Sequence, residues 1–133
     1  MLFGMREEIL RDFLAGRIGL WQVHRELFDL AETPPRVQAM DATFELFPRH
    51  LLALCEAVLE RELEPPLLSP LARWLYRSER FHVARTDPDG RVVEEVLVAW
   101  SEDGGRLRDP EDLAPFRDWL VTRRRPGRFD IEP

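Results

Sequence analysis

The sequence predicts an α+β fold: an N-terminal helical layer of about four helices, a small antiparallel β-hairpin sheet, and a C-terminal helix closing over it. Three observations lead there. Through residues 5–61 apolar side chains recur at intervals of three and four, the rhythm of helices with one buried face. From residue 81 to 100 the pattern reads as two strands around Asp87-Pro88-Asp89-Gly90, a turn with proline preset at its second position and glycine at its end. Helical spacing returns after Asp109-Pro110. A lone hairpin is marginal in water, so it must pack on the helices.

The first helix is expected over residues 5–15, with Met5, Ile9, Leu10, Phe13 and Leu14 on one stripe and Glu7 paired to Arg11 one turn on. Gly16 suits its C-terminal cap. A second helix over about 19–32 carries Leu20, Val23, Leu27, Leu30 and Ala31, widened by Trp21 and Phe28, and completes an αα-hairpin. Thr33-Pro34-Pro35 breaks the chain. From Val37 through Met40, Phe44, Phe47, Leu51, Leu54 and Val58 runs the strongest periodic signal. Pro48 interrupts it, so either one long helix kinks there or a second begins with Pro48 in its first turn. Residues 62–68 read as a linker, and Ser69-Pro70 as the start of a short helix to Arg77.

Strands follow at 81–86 and 91–100. In the second, Val92, Glu94, Val96, Val98 and Trp100 alternate with Val93, Glu95, Leu97 and Ala99, and both faces become apolar toward its end. A turn at Glu102-Asp103-Gly104-Gly105 leads to a short third strand at 106–108. The last helix, opened by Asp109-Pro110-Glu111-Asp112, bears Leu113, Phe116, Trp119 and Leu120. Residues 1–133 suit one domain, with 123–133 a loose tail.

Composition narrows the function classes. With 44% apolar and 33% charged residues the chain reads as a folded protein of the cytoplasm. It lacks any run near the roughly 18 apolar residues that cross a membrane. Nor does its start resemble a secretion signal. The single cysteine, Cys55, precludes an internal disulfide. All 19 basic residues are arginine; lysine and asparagine are absent, which points to a GC-rich, bacterial genome. Without lysine there is no Schiff-base chemistry and no P-loop nucleotide site. Net charge is −6, and the acidity lies in the first half: residues 1–66 hold 12 acids and 7 arginines, residues 67–133 hold 13 and 12.

No motif fixes a catalytic geometry. His24 and His50 have apolar residues at the positions where a helical zinc site needs a second ligand, and His82 lies far away in sequence. Aligning Asp87-Pro88-Asp89-Gly90 with a calcium loop puts Arg85 and Val96 where carboxylates belong. Cys55 sits beside an apolar stripe and reads as core. Glu94 and Glu95 would point to opposite faces of a strand; one turned inward would need Arg85 or Arg91. Glu56 and Glu60 read as a solvated acidic row. No cofactor, metal or catalytic residue is assigned.

Partners are what remain. Arg123, Arg124, Arg125 and Arg128 form the one dense basic cluster, which suits a helix C-terminus or an acidic partner surface. A helix pair at residues 5–32 raises the question of a DNA reader with Arg17 and Arg25 near phosphates, but Glu26, Asp29 and Glu32 on the second helix repel DNA. The expected role is a protein-interaction module binding a protein partner or a second copy of itself, with Trp21 and Trp100 as further candidate contacts. By analogy in size and charge alone, one form of it is an immunity or antitoxin protein that neutralises a basic toxin. The alternatives are an enzyme with a carboxylate or histidine pocket and, third, the DNA-binding regulator.

Overall fold

The computed structural model describes residues 5–23, 37–38, 40–102 and 107–125. Among these are five α-helices, namely α1 (Glu7–Leu14), α2 (Pro48–Leu59), α3 (Pro65–Arg77), α4 (Pro88–Ser101) and α5 (Ala114–Thr122), together with 3-10 turns at Leu20–Gln22 and Pro110–Leu113. Four strands of two residues accompany them: β1 (Met5–Arg6), β2 (Val37–Gln38), β3 (Phe44–Glu45) and β4 (Phe81–His82). They pair in parallel as two separate ribbons, β1 with β2 and β3 with β4. None of the described helices is long and apolar enough to cross a membrane.

The antiparallel hairpin does not exist. Residues 91–100 belong to α4, with Asp87 extended before it and Pro88 in its first turn. Val92, Val93, Val96, Leu97 and Trp100 are all buried, and their spacing is that of one helical stripe. The same residues looked like a strand covered on both faces because seven apolar side chains in the nine residues 92–100 satisfy either period. The helix puts Glu94 and Glu95 together on its outer side, so neither carboxylate has to be buried unpaired. Only Phe81–His82 of the first expected strand pairs, and its partner is Phe44–Glu45. Leu107–Arg108 carries no strand.

Gly90 serves close approach rather than a turn. A Cβ built on it would lie 1.7 Å from the Ala84 carbonyl oxygen. That oxygen also accepts the Asp87 N–H at 3.1 Å, which holds the loop before α4 against the helix.

Helix α2 is the centre of the molecule, packed against α1, α4 and α5, while α3 and α4 share the broadest contact. Leu51, Leu54, Cys55 and Val58 on α2 are fully enclosed, and the buried cluster runs from Leu10 to Leu120. Pro48 is the first residue of α2, where its missing N–H costs nothing. The residues ahead of it are neither a kinked helix nor a second one. Val37–Gln38 pairs with β1 and Phe44–Glu45 with β4, so this segment is an extended strap.

Helix α3 begins four residues earlier than Ser69, with Pro65 in its first turn. Ser69 and Pro70 are therefore interior. The Ser69 hydroxyl accepts a 3.3 Å hydrogen bond from Arg73 rather than capping the helix. The linker shrinks to the turn at residues 60–64, where Arg61 takes the left-handed conformation at φ 64°. Of the second helix expected over about 19–32, only residues 19–23 are described, and they form a 3-10 turn at Leu20–Gln22; residues 24–36, including the Thr33-Pro34-Pro35 break, lie outside the described residues.

Asp109-Pro110 opens the 3-10 turn Pro110–Leu113, which runs directly into α5 at Ala114 rather than opening the α-helix itself. Both the Asp109 and Arg108 N–H groups donate to the Asp112 carboxylate, each at 3.0 Å. These two backbone donors hold the Asp112 carboxyl below its usual range. Replacing Asp112 by alanine is expected to cost about 1 kcal/mol at neutral pH, as lost caps do. A lowered folded-state pKa means the contribution is present above the unfolded value and fades as pH falls through the folded one. Urea unfolding of variant and wild type should therefore converge in strong acid.

Candidate functional site

Three side chains that carry chemistry are buried, and each is neutralised or fully bonded where it sits. His50 is the third residue of α2 and only 3% exposed. Its Nδ1 accepts the Phe47 N–H at 2.9 Å, closing the helix start as a capping side chain does. The ring lies 4.8 Å from that of Phe44 and 5.7 Å from that of Phe47. Burial, reinforced by the neighbouring Arg49 charge, lowers its pKa to about 4. The imidazole is neutral, with its proton on Nε2 by elimination.

This has a pH consequence. The unfolded chain takes up a proton at His50 near pH 6.5, and the folded one resists until about 4. Stability is thus full above 6.5 and declines as pH falls toward 4, by about 3 kcal/mol in all. Denaturant titrations at pH 7 and 4.5 should show this loss in wild type and little of it in His50→Gln, whose amide oxygen keeps the capping bond.

Cys55 is enclosed on α2, and burial, with the adjacent Glu56 charge adding to it, pushes its thiol up to about 12. It packs as a small apolar side chain. Glu7 is the most unexpected of the three. It turns away from Arg11, which bonds Asp12 at 3.1 Å instead. Fully buried, Glu7 accepts the Met40 N–H at 3.0 Å on one oxygen and the Ser78 hydroxyl at 2.7 Å on the other. It ties the start of α1 to the strap and to the end of α3. Its position on the apolar side of α1, between Arg6 and Leu10, was the available signal. No group of three or more His, Cys, Asp or Glu among the described residues could hold a metal ion.

Two of the four carboxylates singled out by spacing are in ion pairs, while Glu60 and Glu95 are exposed. Glu56 on α2 meets Arg117 on α5 at 2.9 Å, and Glu94 on α4 meets Arg85 at 2.8 Å with the Tyr76 hydroxyl 3.5 Å away. Arg17 pairs with Asp12 at 3.3 Å; Arg25 lies outside the described residues. A shallow cleft of about 200 Å3 opens beside α3 and α4, lined by Arg73, Tyr76, Arg77, Val98, Ser101 and Glu102. Arg73 there donates to the Ser101 carbonyl at 3.2 Å, answering an open carbonyl at the end of α4.

The candidate partner contacts separate clearly. Trp100 is fully enclosed, edge-on to Phe116, and presents no surface. Arg123 is tied down: it takes the left-handed conformation at φ 64°, donates its N–H to Trp119 and its side chain to the Leu120 carbonyl, and meets Asp89 at 2.8 Å. The tail thus starts as an anchored helix cap. Arg125 lies over the Trp119 ring at 5.6 Å, Arg124 is exposed, and Arg128 lies outside the described residues. Trp21 stands apart. It does not widen a buried stripe but projects from the 3-10 turn, 78% exposed. A Cβ on Gly19 would lie 3.0 Å from its ring, so the indole is folded back over its own backbone.

No family model, curated protein or solved structure matches the chain.

Proposed function

We propose that the chain is a protein-interaction module whose contact surface centres on Trp21. The observation that carries this is an indole 78% exposed on a short turn, since tryptophan is the residue most enriched among interface hot spots. Its ring rests against the Gly19 backbone, and an anchor already held in place loses little freedom on binding. The net charge of −6, concentrated in residues 1–66, favours a basic partner. An immunity or antitoxin role is one form of that reading. The interaction reading is favoured over an enzyme because His50 and Cys55, the buried groups with the largest shifts, are both pushed toward their unreactive forms.

A photo-crosslinking residue at position 21, introduced in the native cell, tests it against the same residue at exposed Glu60. A single adduct of defined mass from position 21 only is the expected result. Trp21→Ser should abolish the corresponding complex yet change stability by no more than about 0.5 kcal/mol. No adduct, or the same adducts from both positions, refutes the proposal.

A further inference from the structure

The strap ahead of α2 is held shut by a contact that acid must break. The Phe47 N–H donates to His50 Nδ1, and a protonated imidazole carries a hydrogen there and cannot accept it. The added charge would also sit in the first turn of α2, at the positive end of the helix dipole. We propose that His50 is an acid-sensitive latch, and that its protonation releases residues 41–47 from α2 and β4 while the rest of the helical core stays folded.

The geometry confines the release to that segment. Phe44 and Phe47, whose rings flank the imidazole, are only half-buried. The strap's hold on β4 consists of a two-residue ribbon, with Phe44 N–H donating to the Arg80 carbonyl at 2.7 Å and Leu46 N–H to the His82 carbonyl at 2.8 Å. Beyond it, Met40 is fastened by Glu7. Leu46 is the one side chain of residues 41–47 that the core encloses, so it must leave with the strap before the imidazole meets water, whereas α2 beyond His50 is enclosed by α1, α4 and α5.

Nearby charges do not compensate. On α2 itself Arg49 opposes protonation. On the ribbon, Glu45 and its register partner His82 are both exposed. On the packed helices, Glu7 is committed to Met40 and Ser78, Glu94 to Arg85 and Arg117 to Glu56. Asp112 caps its own turn.

Native-state hydrogen exchange, corrected for the intrinsic pH dependence of amide exchange, tests the latch. A state that frees His50 to titrate near its ordinary value gains about 30-fold in population between pH 7.5 and pH 5. Amides of Phe44, Leu46, Phe47 and His50 should gain that factor, with a slope of one proton, while those of α5 stay unchanged. His50→Gln should remove the pH dependence of the strap. A uniform rise across strap and α5 would mean that His50 is freed only by global unfolding, and would overturn the proposal. So would an unaltered slope in His50→Gln. Should that variant not fold, the comparison of strap and α5 in the wild-type protein decides alone.

Discussion

Gly90→Ala is expected to destabilise the protein by about 3 kcal/mol, although alanine is the better helix former by about 1 kcal/mol. The opposing effect is steric. The new methyl carbon would lie 1.7 Å from the Ala84 carbonyl oxygen and 2.5 Å from the carbonyl carbon, and both are backbone atoms that cannot swing aside. Relief requires α4 to withdraw from the loop before it, at the expense of the Asp87 N–H bond to that oxygen. Gly16→Ala is the informative companion. Gly16 sits at φ +79° with nothing within 4 Å of a Cβ, so its cost is conformational alone, about 1 kcal/mol. Thermal or urea unfolding of the two variants should rank them in that order. Equal effects would show that the loop before α4 yields to the methyl group at little cost.

Glu7→Ala is expected to cost a further about 3 kcal/mol in its own right, because the buried carboxylate serves two donors from distant parts of the chain. Its removal leaves the Met40 N–H without its acceptor. It also frees the Ser78 hydroxyl, which accepts the Arg80 N–H at 3.1 Å and so orders the turn into β4. Glu7→Gln retains an oxygen for Met40 and should recover most of the loss, to within about 1 kcal/mol of wild type. Chemical denaturation of the two variants measures the difference. If alanine were as well tolerated as glutamine, the carboxylate would be ornamental to the join between α1, the strap and β4.

The chain writes Asp-Pro twice, and the two occurrences show how far local sequence reaches. Before α5 the pair marks a helix start and was legible as one. Before α4 the same pair also marks a helix start, yet the valine-rich run behind it, with its high strand propensity, argued for a hairpin. Propensity lost to packing: Val92, Val93, Val96, Leu97 and Trp100 bury more completely as one helical stripe. Pro48 is similar. Its place in the first turn of α2 was one of the two expected outcomes, but nothing local announced that the apolar positions before it would be spent on an extended strap.

The candidate site divides along the same line. Cys55 as core followed from its place beside the α2 stripe. The partners of Glu56 and Glu94 did not, since Arg117 is distant in sequence and Arg85 was one of two candidates. The exposure of Trp21 and the enclosure of Trp100 could not be told apart by composition, because each indole continues the apolar face of the element expected there, a helix for Trp21 and a strand for Trp100.

What the sequence determined by itself is local: the helical turn opened at Asp109-Pro110, the left-handed cap at Gly16, and a set of apolar side chains large enough for one core. Those depend on a few neighbouring dihedral angles and hydrogen bonds. What only the tertiary structure decided is the use of residues whose preferences were balanced: α4 as helix, residues 40–47 as strap, Glu7 and His50 as buried fastenings. Each of these is settled by contacts between residues far apart in the chain, such as Glu7 with Ser78 and Phe44 with Phe81, and no local period carries that information.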